Sequence, residues 1–336
     1  MTSAGLFSSF ARIMAGLGLC LLVYIALGIV MTAAAGPLAK RGQMIDIGGR
    51  RLRLVCQGPE LSAKPVVILE AGAFGFAADW GVVQDQLAAQ GVRSCAYDRA
   101  GMGFSDPGPK PRDGINIAED LEKLLIAAKV PGPYVLCGHS MGGLRLRQFA
   151  SRNPDKVVGI VLVDATTPEA MDNPQLRVFV GHFARASHLA GLGASVGLFK
   201  PLMGTKLANK IGLTGEAQRE KRHFFANGRH NRVSAQEVAM WPKASDQARA
   251  AAPFKPQWPV AVVTAGGVRP GFTTALKQTQ EAPARASQHG YVDHVEGASH
   301  NSLLGPAFAD RIVKGVDFVI AAAAAQTAPV SARVGA

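Results

Sequence analysis

The stretch Val135-Leu-Cys-Gly-His-Ser-Met-Gly-Gly143 decides how the rest of the chain is read. An apolar run, YVLC, stops at a glycine, a serine follows two residues later, and two more glycines come next. Gly138-His139-Ser140-Met141-Gly142 fits the pattern G-x-S-x-G. Read as a strand running straight into a helix, the turn at Ser140 is tight and its backbone strained. Side chains two residues to either side would collide, so Gly138 and Gly142 are small. Such a turn lifts the serine hydroxyl clear of the strand's carboxyl end and sets it at a helix N-terminus, where the dipole favours negative charge. The strand ends there to present a nucleophile.

The flanking sequence has the same grain. Met44 to Gly58 reads as a hairpin turning at Gly48-Gly49. Apolar strands are expected at Pro65 to Gly72, Val92 to Tyr97, Tyr134 to Cys137, Val157 to Val163, Val260 to Thr264 and Tyr291 to Val295. Helical spacing separates them at Trp80 to Ala89, Ile115 to Val130, Leu144 to Ser151 and Phe308 to Ala321. Strands apolar throughout, alternating with amphipathic helices, predict an α/β fold: a mostly parallel eight-stranded sheet covered by helices. The alternation lapses in residues 168–255, which read as a helical insertion at the edge where loops gather. That insertion carries thirteen Lys and Arg against six Asp and Glu. The expected organisation is therefore a core of residues 43–167 and 256–321, a cap or lid of residues 168–255, and a low-complexity, disordered tail of residues 322–336.

Ile13 to Ala35 is an almost unbroken apolar run. As a helix it would reach roughly 34 Å, enough to cross a bilayer core. Residues 1–36 are read as a single-pass membrane anchor. A cleaved signal peptide is the competing reading, with Ala33-Ala34-Ala35 as the small-residue site. Basic residues counted on either side place the main domain in the cytoplasm, although long domains translocate largely regardless of charge. The net charge of +12 suits an anionic surface. There is no zinc-finger spacing, Walker loop or basic stripe interleaved with aromatics, so a nucleic-acid partner is not expected.

A serine hydroxyl needs a base. His300, in EGASHNSLL just after the last strand, sits on a loop that returns to the edge holding Ser140. It is the candidate general base. His139 is read as packing. A carboxylate should orient the base. Asp164, at the end of VVGIVLV, is the leading candidate, and Glu281 and Asp293 stay open. Two backbone N–H groups should receive the developing oxyanion: that of Met141, next to the serine, and that of Ala73, after the PVVILEAG strand. Gly72 and Gly75 are read as allowing close substrate approach.

Ser140, His300, the EAG loop and the run Asp98-Arg99-Ala-Gly101-Met-Gly103-Phe-Ser105-Asp106 together resemble the α/β-hydrolase superfamily, in particular its lipase- and esterase-like serine hydrolases. The resemblance covers roughly residues 44–321. It implies an eight-stranded sheet with a helical lid and a chain order serine, acid, histidine, which Ser140, Asp164 and His300 follow. It also implies hydrolysis of a carboxylic ester through an acyl-enzyme, with no metal or organic cofactor, on a small-molecule or lipid-like substrate. Amide, thioester or carbon–carbon bond hydrolysis and a non-catalytic ligand receptor stay open as alternatives. A serine at the nucleophile position does not suit the family's epoxide-hydrolase and dehalogenase chemistries. The DRxGxGxSD run is expected to be structural. Two departures stand out: many relatives place the acid one strand later, and many carry His-Gly where this chain has Ala71-Gly72. The family's strand order sets the second and fourth strands side by side. Cys56 and Cys95 fall on them, so a disulfide is implied, and with it an oxidising, extracytoplasmic location. The reading without the resemblance is that Cys56, Cys95 and Cys137 are buried thiols.

Overall fold

The structure, a computed structural model, describes residues 3–34, 36, 38–266 and 272–327. Its centre is an eight-stranded sheet in the order β1-β2-β4-β3-β5-β6-β7-β8. The strands are β1 (Gln43–Asp46), β2 (Arg51–Gln57), β3 (Val66–Glu70), β4 (Ser94–Tyr97), β5 (Tyr134–His139), β6 (Val157–Val163), β7 (Val260–Ala265) and β8 (Gly290–Val295). The pairs β1–β2 and β2–β4 are antiparallel and the others parallel. The fully apolar strands have the expected cause, because helices cover both faces. Val67, Leu69, Val135, Val161 and Val263 pack on one side with Leu87 of α2 (Gly81–Ala89) and Ile312 and Val316 of α10 (Ala309–Thr327). Their strand neighbours Ile68, Leu136, Ile160 and Val262 pack on the other, with Leu121 of α3 (Gly114–Ala127) and Phe149 of α4 (Gly142–Arg152). A period of two thus feeds two cores from one sheet.

Cys56 and Cys95 face each other in the β2–β4 register and form a disulfide, with Cα atoms 4.0 Å apart. They are not the buried free thiols of the alternative reading. Cys137 is a buried thiol, pushed well above its ordinary pKa by burial.

Between β6 and β7 come four helices, α5 (Pro174–Ser195), α6 (Gly215–Phe225), α7 (Gly228–Ala239) and α8 (Trp241–Ala250). The N-terminal run forms α1 (Ser3–Ala34), and the most apolar window of its segment Phe7–Ala34 has a mean hydropathy of 2.6 and is 6% buried. Two elements differ from expectation. The sequence after β7, for which no helix was expected, contains α9 (Phe272–Ala286). The cluster Gly266-Gly-Val-Arg-Pro-Gly271 reads as a breaker, but the residues beyond it repeat Leu276, Gln280 and Ala284 at helical spacing. The last helix runs on to Thr327, so residues 322–327 are helical and not part of a disordered tail. The alanines there are good helix formers. Residues 328–336 of that expected tail lie outside the described residues, as does Ala35 of the candidate cleavage site.

Candidate active site

Ser140 closes β5 at the mouth of α4 with φ +56°, the left-handed region that a non-glycine residue rarely occupies. The neighbouring glycines show why. A Cβ on Gly142 would stand 2.6 Å from the Glu70 carbonyl oxygen, and one on Gly138 2.6 Å from Leu146 Cδ1 and 3.1 Å from the Gly142 backbone. The Ser140 N–H donates to the Val163 carbonyl, and its own carbonyl accepts from Gly143 and Thr166. The turn is thereby fixed to the end of β6.

That same strand end carries Asp164, also at positive φ, +42°. Its Oδ2 lies 2.6 Å from His300 Nδ1. Its Oδ1 accepts from Gln280 Nε2 at 3.1 Å and from the Ala265 N–H at 3.4 Å. Burial pushes this carboxyl up, but the His300 hydrogen bond and the neighbouring charge hold it below the usual carboxylate range. The two other carboxylates considered are engaged elsewhere. Glu281 pairs with Arg285 and His294, and Asp293 with Arg311.

Ser140, Asp164 and His300 all line one cavity of about 1020 Å³. Its wall also includes Ala73, Phe74, Phe183 and Trp241, so it is largely apolar. Ala73 follows Gly72, whose hypothetical Cβ would sit 2.7 Å from Ser140 Cβ. The loop bearing Ala73 therefore passes directly against the serine. Gly72 and Gly75 are small for packing inside the protein: a Cβ on Gly75 would meet Ala71 Cβ at 2.9 Å and Asp79 Oδ2 at 3.0 Å. Met141 is buried and begins α4 beside the serine. Among the described residues, no cluster of three or more His, Cys, Asp or Glu side chains is arranged to hold a metal.

Two histidines not assigned to the triad also shape this site. His139 does pack, its ring centroid 4.4 Å from that of His300, but it does more. Its Nε2 is 2.9 Å from the His300 carbonyl oxygen. A carbonyl only accepts, so Nε2 carries the hydrogen. Burial and the neighbouring His300 push His139 down to about 3, which keeps it neutral. His230 of α7 accepts from the Gly103 N–H through Nδ1 at 3.1 Å and faces the Phe74 carbonyl with Nε2 at 3.3 Å. Burial pushes it, too, down to about 3.

The DRxGxGxSD run is structural. The Arg99 guanidinium donates to the carbonyls of Ala71, Gly72 and Gly75, and pairs with Glu70 and with Glu237 of α7. Arg145 of α4 joins the same two carboxylates. Asp98 pairs with Arg53, which also meets Glu220 of α6. A buried charge network thus ties the loop beside Ser140 to the inserted helices. In the sequence, Glu220 and Glu237 are two acids in a basic segment, and nothing local marks them as buried.

A family model described as alpha/beta hydrolase fold matches residues 64–258. Among solved structures, the chain is similar to a thermophilic esterase from Thermogutta terrifontis, with a TM-score of 0.58 and 19% identity over 84% of this chain and 100% of that one. It is also similar to a putative epoxide hydrolase from Pseudomonas aeruginosa, with a TM-score of 0.63 and 16% identity over 86% and 99%. At such identities the likeness is one of fold. Among curated proteins, a probable transporter, efuK, of Hormonema carpetanum is 35% identical over 134 residues, 38% of this chain and 19% of that one. The chain spans less than half the length of the curated relatives it matches.

Proposed function

The chain belongs to the alpha/beta hydrolase fold family, and we propose that within it the protein is a serine hydrolase of carboxylic esters, held at a membrane by α1. One observation carries the reading: His300 Nδ1 lies 2.6 Å from Asp164 Oδ2 on the wall of the cavity that Ser140 also lines. With Nδ1–H given to the carboxylate, Nε2 is the nitrogen left to take a proton. In the proposed cycle Ser140 Oγ attacks the ester carbonyl carbon and its proton passes to His300. Asp164 stabilises the resulting imidazolium. The N–H groups of Met141 and Ala73 hold the oxyanion. Collapse of the tetrahedral species breaks the carbon–oxygen bond, and His300 returns the proton to the departing alcohol. Water, deprotonated by His300, then attacks the acyl-serine and releases the acid and free Ser140.

Chemistry favours a carbonyl substrate over an epoxide. A hydroxyl that opened an epoxide would leave an ether on the enzyme, and the triad has no means to hydrolyse it. An acyl-serine, by contrast, is itself an ester. The size of the cavity and its aromatic walls suit a long apolar acyl chain. The helical insertion is read as a cap over that chain. The disulfide favours an oxidising compartment for the catalytic domain.

The test is a chain-length panel of p-nitrophenyl esters on the full chain. The expected result is a burst equal to the enzyme concentration, with turnover reduced at least about 1,000-fold in Ser140→Ala and in His300→Gln. Undiminished turnover in either variant would overturn the assignment.

A further inference from the structure

We propose that the outer face of α5 and the turn after it form a membrane-docking surface, and that the cavity takes its substrate sideways from the lipid bilayer. The docking half rests on reading α1 as an uncleaved anchor; the delivery half rests also on the proposed hydrolase function.

The first observation is where α1 touches the rest of the chain. Tyr24 Oη donates to the Leu198 carbonyl at 3.2 Å, and Thr32 Oγ1 reaches Met203 Sδ at 3.7 Å. Between them, a Cβ on Gly28 would fall 2.6 Å from Pro201 Cδ, so the helix lies as close to this turn as a glycine permits. A Cβ on Gly197 would meet Ile25 Cγ2 at 3.4 Å. Only the C-terminal third of α1 is docked in this way. The part N-terminal to these contacts, Phe7 to Val23, reaches roughly 26 Å and falls within the 17–25 residues that span a bilayer core. The register has a direction: Tyr24 and Ile25 meet residues 197 and 198, while Thr32 meets Met203. The end of α5 is therefore level with the point where α1 would enter the lipid.

The second observation is what α5 exposes there. Toward that end Leu189, Leu192 and Val196 are 66%, 50% and 60% exposed, and Val178, near the start of the helix, is 61% exposed. At 100° per residue they fall within roughly a 60° arc, a single stripe. The opposite side of α5 is turned inward: Leu176 and Phe183 line the cavity. Phe179 and Leu207 belong to both sets, since they line the cavity and are also exposed, so apolar side chains border its mouth.

The third observation selects lipid over protein. Residues 173–215 contain five Lys and Arg and no Asp or Glu. Arg177 and Arg185 are exposed on the same helix as the stripe, and Lys206 and Lys210 are exposed in the segment that follows it. Apolar side chains flanked by cations are what an interfacial helix presents to anionic headgroups, with its apolar face sunk ~5–10 Å. A second copy of the same face would bring like charges together.

The test uses the full chain, oxidised at Cys56–Cys95, with Cys20→Ser, in vesicles of phosphatidylcholine and phosphatidylglycerol. Single cysteines replace Leu192 on the stripe, Leu17 in the N-terminal half of α1, or Ile126 on α3, an exposed apolar control. Each carries a fluorophore, and doxyl groups on the acyl chains act as quenchers. The expected result is that the labels at 192 and 17 are quenched at least threefold more than the label at 126. Quenching at 17 with position 192 behaving like 126 would overturn the docking face and leave the anchor standing. No quenching at 17 would overturn both. Shielding of 192 from aqueous iodide without acyl-chain quenching would assign the face to a protein partner and overturn the lipid assignment. A second arm reads delivery: Leu189→Ser with Leu192→Ser and Val196→Ser. The expected result is at least a tenfold loss of kcat/KM on a bilayer-embedded long-chain ester, and a change within twofold on a water-soluble short ester. An equal effect on both esters, or on neither, would overturn delivery from the bilayer.

Discussion

Asp164 and His139 show how much a side chain's role depends on what it meets. Asp164 is 136 residues from His300 along the chain and 2.6 Å from it in space. Asp164→Asn should lower kcat by about 10⁴-fold, because the amide would stabilise the wrong imidazole tautomer. Glu281→Gln should leave kcat within about threefold. Steady-state rates on one soluble ester check both, and the reverse ranking would contradict the assignment. His139→Ala removes the donor that holds the His300 carbonyl. Its expected signature is a kcat loss of about 10- to 100-fold with KM within twofold, because base and nucleophile lose alignment but the cavity keeps its walls. At this scale the tight turn at Ser140 was legible because its glycines are a local requirement. Which of three carboxylates meets His300 was not, since it depends on contacts no local pattern records. The histidine beside the serine was legible only as packing, because its hydrogen bond goes to a backbone carbonyl 161 residues away.

Strands and helices were read well where burial on both faces leaves a strong pattern, and poorly where punctuation misleads. α9 was not expected, since Gly and Pro precede it, and with α9 went Gln280, the second side chain that holds Asp164. The ties between elements were also invisible. Glu237 lies buried between Arg99 and Arg145, and although burial pushes its carboxyl up, the two guanidiniums hold it below the usual range. Glu237→Gln strands those guanidiniums without their counter-charge. It should destabilise the fold by about 3–5 kcal/mol, whereas Glu60→Gln on the exposed loop before β3 should cost under about 0.5 kcal/mol. Urea midpoints of the two variants in detergent give the comparison. The β2–β4 disulfide closes a 39-residue separation, which the chain-entropy argument values at about 4 kcal/mol. Thiol titration of the unfolded chain should count two thiols without reductant and four with it. Four in both cases would remove the bridge.

For the whole molecule, the buried neutral histidines set a pH dependence. His139 and His230 are both held down to about 3 in the folded chain and return to about 6.5 when it unfolds. The unfolded state therefore binds more protons between these values, and stability is lost as pH falls from about 6.5 toward 3. Each group contributes about 1.4 kcal/mol per pH unit within that window. Unfolding free energies measured at pH 7 and pH 5 should fall with acidity, and His230→Gln should roughly halve the slope; a flat profile would mean that these rings are protonated in the native state. The overall architecture was legible because an alternation of buried strands and amphipathic helices admits few arrangements. The placing of α1 against the helical insertion was not, because both surfaces are apolar and the sequence does not say which apolar surfaces meet. The central claim is that folding brings residues 140, 164 and 300 together to make one serine reactive. Its most direct test is fluorophosphonate labelling of the native full chain, with the adduct mapped by mass spectrometry, beside the same reaction in urea. The account requires one adduct per chain, on Ser140, lost in urea and in Ser140→Ala. An adduct on another residue, or labelling that persists in the unfolded chain or the alanine variant, would contradict it.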